Sequence, residues 1–289
     1  MKNLGMIQGR LSLPVQHQIQ AFPREAWRLE FYKKIHTVGL SYIEWIVTEE
    51  CFRDNPLMVD GEDMDRFFSC NSHLIGAVCC DHLIHNRVGY GDKLDEFLEE
   101  NLTPVCERVS KVGNLGIPRY RFNTIGIPLL DASSMEKTKD SLDTFKREIV
   151  KITDRFPDLL FSFEAELDHE RLMSLVELRP NYRVTYDTGN LTSYGVDHQE
   201  YLQAVFPRID NVHLKDRAYR NRSWQTVFPG TGDTDFSLIF SVLKGLGYNG
   251  NFTLQTARGL DGLEMQTVKY HKLYFETLYD RVLPRNNKP

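Results

Sequence analysis

Several features that would define a function at once are missing from these 289 residues. No run approaches the ~18 consecutive apolar residues of a membrane span, so no spanning helix is expected. No G-x-G-x-x-G follows the first β-rich run and no G-x-x-x-x-G-K-[ST] occurs, which removes support for the usual nucleotide-binding open sheets. The five cysteines, Cys51, Cys70, Cys79, Cys80 and Cys106, contain no C-x-x-C pair. Such an odd set suits reduced, mostly buried thiols in the cytoplasm, with Cys79 or Cys80 lining a site as the alternative. An excess of basic residues is lacking too: 35 Lys and Arg face 40 Asp and Glu, for a net charge of -5. That balance argues against a duplex-binding face, whose cations must release counterions from phosphates, and in favour of a small-molecule substrate. The opening MKNLGMIQGRLS places Gly, Gln and Arg where a signal peptide needs an apolar core, so it reads as structure. Linkers, low-complexity tracts and repeats are absent, and one domain over residues 1–289 is expected.

What is present is an alternation. With 41% hydrophobic and 26% charged residues the chain can bury one large core. Eight short β-rich runs are separated by longer amphipathic stretches: Leu4 to Gln8, Tyr42 to Val47, Leu74 to Cys80, Arg119 to Ile125, Leu159 to Glu164, Arg183 to Asp187, Asn211 to Leu214 and Asn251 to Gln255. Strands alternating with helices imply βαβ units and a parallel sheet. Trp27, Phe31, Ile35 and Val38 repeat at three- and four-residue steps between the first two runs. Leu142, Phe145, Ile149, Ile152 and Phe156 do so after a capping box at Ser133 and Glu136. Leu238, Ile239, Val242, Leu243 and Leu246 form the last such stripe, ended by Gly247. Each stripe is read as core packing. Periodicity alone does not choose between an open doubly wound sheet and a closed eight-stranded α/β barrel.

In a parallel barrel the functional side chains sit at the C-terminal ends of the strands. The later runs close on ionisable or amide residues: Glu164, Asp187, His213 and Gln255. Isolated charges at buried strand ends are costly unless compensated, and a divalent cation would compensate both carboxylates. Two carboxylates, a neutral imidazole and an amide oxygen form a mixed O/N set suited to one divalent ion, Mn, Co, Zn or Mg. Taken singly each residue has a plainer reading, Asp187 as a turn residue before Thr-Gly-Asn and His213 as a satisfied polar group; their occurrence on consecutive strands favours metal. Glu166 shares the strand parity of Glu164 and is the alternative ligand.

The segments FEAEL, YDTGN, HLKDR and PGTGDTDF, with GMIQGRLS at the start and GIPLLDASS near the fourth strand, fall in an order that resembles the xylose isomerase-like family of sugar phosphate isomerases and epimerases. The hexulose-phosphate and tagatose epimerase branches are most similar, and the resemblance spans nearly the whole chain. It implies a (β/α)8 TIM barrel whose metal is held by Glu164, Asp187, His213 and, where the family places a final glutamate, Gln255. A second departure is Asn190, where the epimerase branch often has histidine. The implied chemistry removes a proton beside a carbonyl, with two metal-bound glutamates serving opposite faces of the carbon. Gln255 cannot take a proton, although its amide oxygen can still bind metal. The resemblance therefore implies an isomerase or epimerase with Glu164 as base. A lyase or dehydratase on the same barrel is the alternative, as is a binding protein that has lost catalysis. The family's apurinic-site endonucleases use a trinuclear zinc cluster, for which this chain has too few strand-end histidines.

Around such a mouth, Arg217 and Lys215 are expected to contact substrate oxygens or phosphate, with an ion pair to Asp216 as the plainer reading. Glu44 after the second strand and Asp81 after the third are further substrate-binding candidates; His82 and His85 flank a possible turn and could support the contacting groups from behind, with a surface role as the simpler reading. The loop Pro229 to Asp235 could supply backbone amides to an anion; its simpler reading is a tight turn whose Asp235 caps the next helix. The expected partner is a small carbohydrate, with no nucleic acid and no membrane, and a homo-oligomer is left open.

Overall fold

The computed structural model describes residues 1, 3–15, 18–85, 93–115, 122–129 and 139–285. Eight strands close into a barrel in the order β1 (Leu4–Ile7), β10 (Asn251–Leu254), β7 (Ile209–Leu214), β6 (Tyr182–Asp187), β5 (Leu160–Ala165), β4 (Thr124–Leu129), β3 (Ile75–Cys79) and β2 (Ile43–Ile46). Each pairing resolved residue by residue is parallel. An antiparallel hairpin, β8 (Asp216–Arg220) with β9 (Ser223–Val227), follows β7 outside the barrel order. The closed barrel expected from the family resemblance is present. No helix among the described residues is long and apolar enough to cross a membrane.

Seven of the eight β-rich runs overlap their strands closely. The fourth does not: the strand is Thr124–Leu129, later than the run Arg119 to Ile125. Pro128 explains the displacement, because a proline argues against an interior strand, yet here it pairs with Glu164 of β5. Arg119, Ser133 and Glu136 lie outside the described residues.

Contacts group the chain into two compact units. The first comprises Met1–Ile43, Leu167–Met173 and Val184–Pro289. In it Phe31, Ile35 and Val38 are buried as their spacing predicts, although a π-helical turn, Glu30–Lys34, interrupts the helix. Phe236 meets Phe275 edge-on at 4.9 Å and Phe240 meets Phe252 at 6.2 Å, so the helices Phe236–Gly245 and Glu264–Arg281 share an aromatic core with β10. Phe240 is fully buried, and truncating it to Ala is expected to cost about 3–5 kcal/mol. Asp235 caps the first of these helices by accepting the Leu238 N–H at 2.9 Å.

The second unit comprises Glu44–Glu166 and Ser174–Arg183. Leu142, Phe145, Ile149 and Ile152 bury one face of the helix Lys139–Thr153, and Phe145 meets Phe163 of β5 at 6.3 Å. Trp45 on β2 packs edge-on against Phe68 at 5.1 Å and donates its indole N–H to Asn55.

One irregularity positions the site. β6 and β7 pair Val184 with Ile209 but Thr185 with Asn211, so Asp210 is bulged out. The shift brings Asp187 level with His213.

Candidate metal centre

Asp187 is the last residue of β6 and the N-cap of the helix Thr188–Tyr194. Its Oδ1 accepts the Asn190 N–H at 2.7 Å, which fixes the carboxylate against the strand end. Its Oδ2 lies 2.9 Å from the Lys215 ammonium and 4.0 Å from Nδ1 of His213. All three side chains are nearly closed to solvent.

The Thr-Gly-Asn that follows Asp187 has a physical reason at each position. The Thr188 hydroxyl donates to the Lys215 carbonyl at 2.7 Å and accepts the Lys215 N–H at 2.9 Å. Gly189 leaves room for this contact, since a Cβ there would come within 2.9 Å of Lys215 and 3.0 Å of Arg217. Asn190 uses its side-chain oxygen to hold both cations, accepting from Lys215 Nζ at 3.2 Å and from Arg217 at 3.4 Å. Arg217 also donates to Ser193 Oγ at 2.7 Å.

Gln255 continues the β10 ladder by donating its backbone N–H to Leu214 at 3.1 Å. Thr253 pairs with His213, and Gln255, two residues on, repeats its side of the strand. Its Nε2 donates to Gln20 Oε1 at 3.1 Å, from the loop after β1. The Gln255 Oε1 is buried with no hydrogen-bond partner among the described residues. Arg10 anchors that loop through Thr256 O at 2.9 Å and Ile19 O at 2.6 Å. Glu30 anchors it from below, its Oε1 accepting the N–H groups of Gly9 and Leu11 and its Oε2 the Ser12 hydroxyl. Burial is the largest influence on Glu30 and pushes its carboxyl above the usual range, with those hydrogen bonds opposing it.

In the second unit Glu44, Asp81 and Glu164 are all buried. Glu44 lies within β2, and Asp81 follows β3. Burial first, and then the negative charges of Glu44, Asp81 and Glu164, push the Cys79 thiol well up. Cys79 is thus a protonated, inert neighbour of three carboxylates. His82 is equally buried, its ring nitrogens 3.2 Å from Val47 O and 3.0 Å from Asn101 O, which makes it a strut between backbone segments. The side chain of His85 lies outside the described residues.

Glu164, Asp187 and His213 each offer one ligand atom, and these atoms lie within 4.8 Å of one another. Two carboxylate oxygens, one imidazole nitrogen and the buried amide oxygen of Gln255 fit a hard-to-borderline divalent ion. Three partnerships do not show in the sequence. Lys215 pairs with Asp187, not with its neighbour Asp216. Gln20 orients Gln255. Asp216, fully buried, is itself the anion cradled by the Pro229 to Asp235 loop, accepting the N–H groups of Gly230, Gly232 and Thr234 at 2.8, 3.0 and 3.3 Å. A Cβ at Gly232 would meet Asp216 Oδ1 at 2.2 Å, which is the reason for that glycine.

A closed parallel barrel with carboxylates, an imidazole and an amide at its strand ends defines a TIM barrel with a candidate metal centre. Residues 162–269, which contain all four of the candidate ligands, match the family model described as xylose isomerase-like TIM barrel. The chain is 23% identical to L-ribulose-5-phosphate 3-epimerase of Escherichia coli over 244 residues, 80% of this chain and 82% of that protein. It is 35% identical to inosose dehydratase of Geobacillus thermodenitrificans over 85 residues, a match that spans only 24% of this chain and 28% of that protein. Among solved structures, the IOLI protein with a bound zinc atom superposes with a TM-score of 0.67 at 17% identity, covering 96% of this chain and 99% of that one. The resemblance is thus borne out over residues 162–269, which hold the segments FEAEL, YDTGN, HLKDR and PGTGDTDF.

Proposed function

We propose that this protein is a metal-dependent isomerase or epimerase of a small sugar or sugar phosphate, acting through an enediolate with Glu164 as base. The observation that carries the reading is the buried cluster of Glu164, Asp187 and His213, three strand-end ligands within 4.8 Å. The similarity to an L-ribulose-5-phosphate 3-epimerase over 80% of the chain supports the substrate class. The zinc-bound relative supports a divalent ion, to be held by Glu164, Asp187, His213 and the carbonyl oxygen of Gln255.

When bound, the ion supplies Lewis-acid polarisation of the substrate carbonyl. The remaining work belongs to the side chains. Glu164 takes the proton from the carbon beside the carbonyl and returns it. Arg217 and Lys215, both gathered on Asn190, supply donors that orient substrate oxygens or phosphate, with Glu44 and Asp81 as further contacts. Gln255 positions but carries no proton, so Glu164 is the single strong base. Incubating manganese-loaded protein with a panel of ketoses and ketose phosphates in deuterated water tests this. Deuterium uptake at a substrate carbon is the expected result; loss of water instead indicates a dehydratase, the reading favoured by Gln255 and the short dehydratase match. Metal binding with no exchange in any substrate refutes both.

A further inference from the structure

The buried carboxylate of Asp187 already has a counter-charge inside the chain. Lys215 Nζ sits 2.9 Å from Oδ2, and the two side chains are 11% and 1% exposed. Oδ1 is taken up by the helix N-cap, so Oδ2 is the oxygen turned towards both Lys215 and the His213 ring. A dication held by Asp187 and His213 would therefore share that oxygen with an ammonium group. Two cations on one carboxylate oxygen repel strongly in a site closed to water. Lys215 also has somewhere else to rest: Asn190 Oδ1 is 3.2 Å from Nζ and also accepts from Arg217. A flexible four-carbon stem lets an ammonium move between such partners, which a planar guanidinium does less readily.

We propose that Lys215 is an internal counter-ion that competes with the divalent ion for Asp187, so that metal loading moves the ammonium off Oδ2 while it keeps its contact with Asn190. The proposal rests on the metal-dependent reading above. It makes two statements that reading does not: the lysine weakens metal binding, and it neutralises Asp187 when no metal is held. Loading then leaves the ammonium beside Arg217 on Asn190 with no carboxylate of its own, where an anionic substrate oxygen is met.

The test compares parent, Lys215→Met and Lys215→Arg by manganese titration and by melting temperature with and without manganese. Lys215→Met should bind manganese at least about tenfold more tightly, because the competing charge is gone. Without metal it should melt several degrees below the parent, since the buried Asp187 loses its nearest ammonium, and saturating manganese should erase most of that difference. Lys215→Arg, which keeps the charge, should stay near the parent in affinity and supplies a folded comparison if the methionine variant is too unstable to titrate; an affinity as high as that expected for Lys215→Met would overturn the proposal. Equal or weaker manganese binding by Lys215→Met, or a loss of melting temperature that manganese does not repair, would likewise overturn the competition while leaving the metal site standing. A parent that binds no manganese, zinc, cobalt or magnesium would remove both readings together.

Discussion

Replacing Gln255 by glutamate converts a neutral candidate ligand into a charged, proton-carrying one, and the structure fixes what that exchange must cost. Gln255 is 4% exposed and its Nε2 donates to Gln20 Oε1 at 3.1 Å. In Gln255→Glu that contact becomes oxygen against oxygen. The Gln20 amide can turn over to donate instead, but its carbonyl then leaves Arg10 at 3.5 Å and presents a donor to a guanidinium. A buried carboxylate with at most one new donor is expected to cost about 2–4 kcal/mol, or about 4–10 °C in melting temperature without metal. A bound dication reverses the sign. Its attraction to the added charge is about 8 kcal/mol at 4 Å and an effective dielectric of 20 before desolvation. A surplus of about 1.4–3 kcal/mol after desolvation tightens manganese binding about 10- to 100-fold. Titration calorimetry and melting curves with and without manganese read both effects. Because the introduced carboxylate can also hold a proton, deuterium exchange and epimerisation at the third carbon of a ketose or ketose phosphate should rise. If the metal-free melting temperature and the manganese affinity both stay at the parent values, Gln255 Oε1 does not face the ion. If the parent already epimerises efficiently and the exchange changes nothing, another acid such as Glu166 or Asp81 carries the second proton, since both ring nitrogens of His82 are held by backbone carbonyls.

Asp187→Ala and His213→Ala should each weaken metal retention at least about tenfold, read by elemental analysis after loading; parent-like retention in both removes the site. Arg217→Ala should raise KM about tenfold through the loss of a charge-assisted donor, with a melting temperature only a few degrees lower, because its contacts with Ser193 and Asn190 are worth about 1 kcal/mol each. A large stability loss with unchanged kinetics would make it a structural residue instead. His271 is fully buried against Thr256, with Nε2 unpartnered among the described residues. Burial, and secondly the charge of Arg10, lowers its pKa to about 4. The unfolded chain therefore binds the extra proton first, and the stability His271 contributes is full above about pH 6.5 and is lost as pH falls towards 4. About 2–3 kcal/mol should separate pH 7 from pH 4.5 on this account, and His271→Gln should flatten the melting profile over that interval; parallel profiles contradict it.

Much of this architecture is legible in the chain because burial and polarity change at the same residues. Glu164, Asp187, His213 and Gln255 each close an apolar run, and a strand that ends in a costly side chain announces where its mouth is. The fourth strand is obscured by Pro128, whose local preference is overridden by pairing with β5. The partnerships are less visible, because they join residues far apart in sequence. Gln20 and Gln255 are 235 residues apart, and Lys215 and Asn190 are 25 apart. Glu30 does leave a signal, a carboxylate set between Trp27 and Phe31 on an apolar stripe, which must be either exposed or anchored. Asp216 leaves another: a loop with glycines at positions 230 and 232 is open enough to wrap a carboxylate, and the nearest one in the adjoining strand is Asp216.

The bulge at Asp210 gives the site a memory of chain length. Without it, Val184 opposite Ile209 would set Asp187 opposite Val212, and a core valine would stand where the imidazole now does. A lineage carrying this barrel can lengthen or shorten the turn between Tyr194 and the helix His198–Val205 with less consequence. Adding or deleting one residue within β6 or β7 exchanges ligand for core at a stroke, and only a second change of opposite sign in the partner strand restores it. Descendants that keep the candidate metal site should therefore carry their insertions outside those two strands, and the rare exceptions should come in compensating pairs.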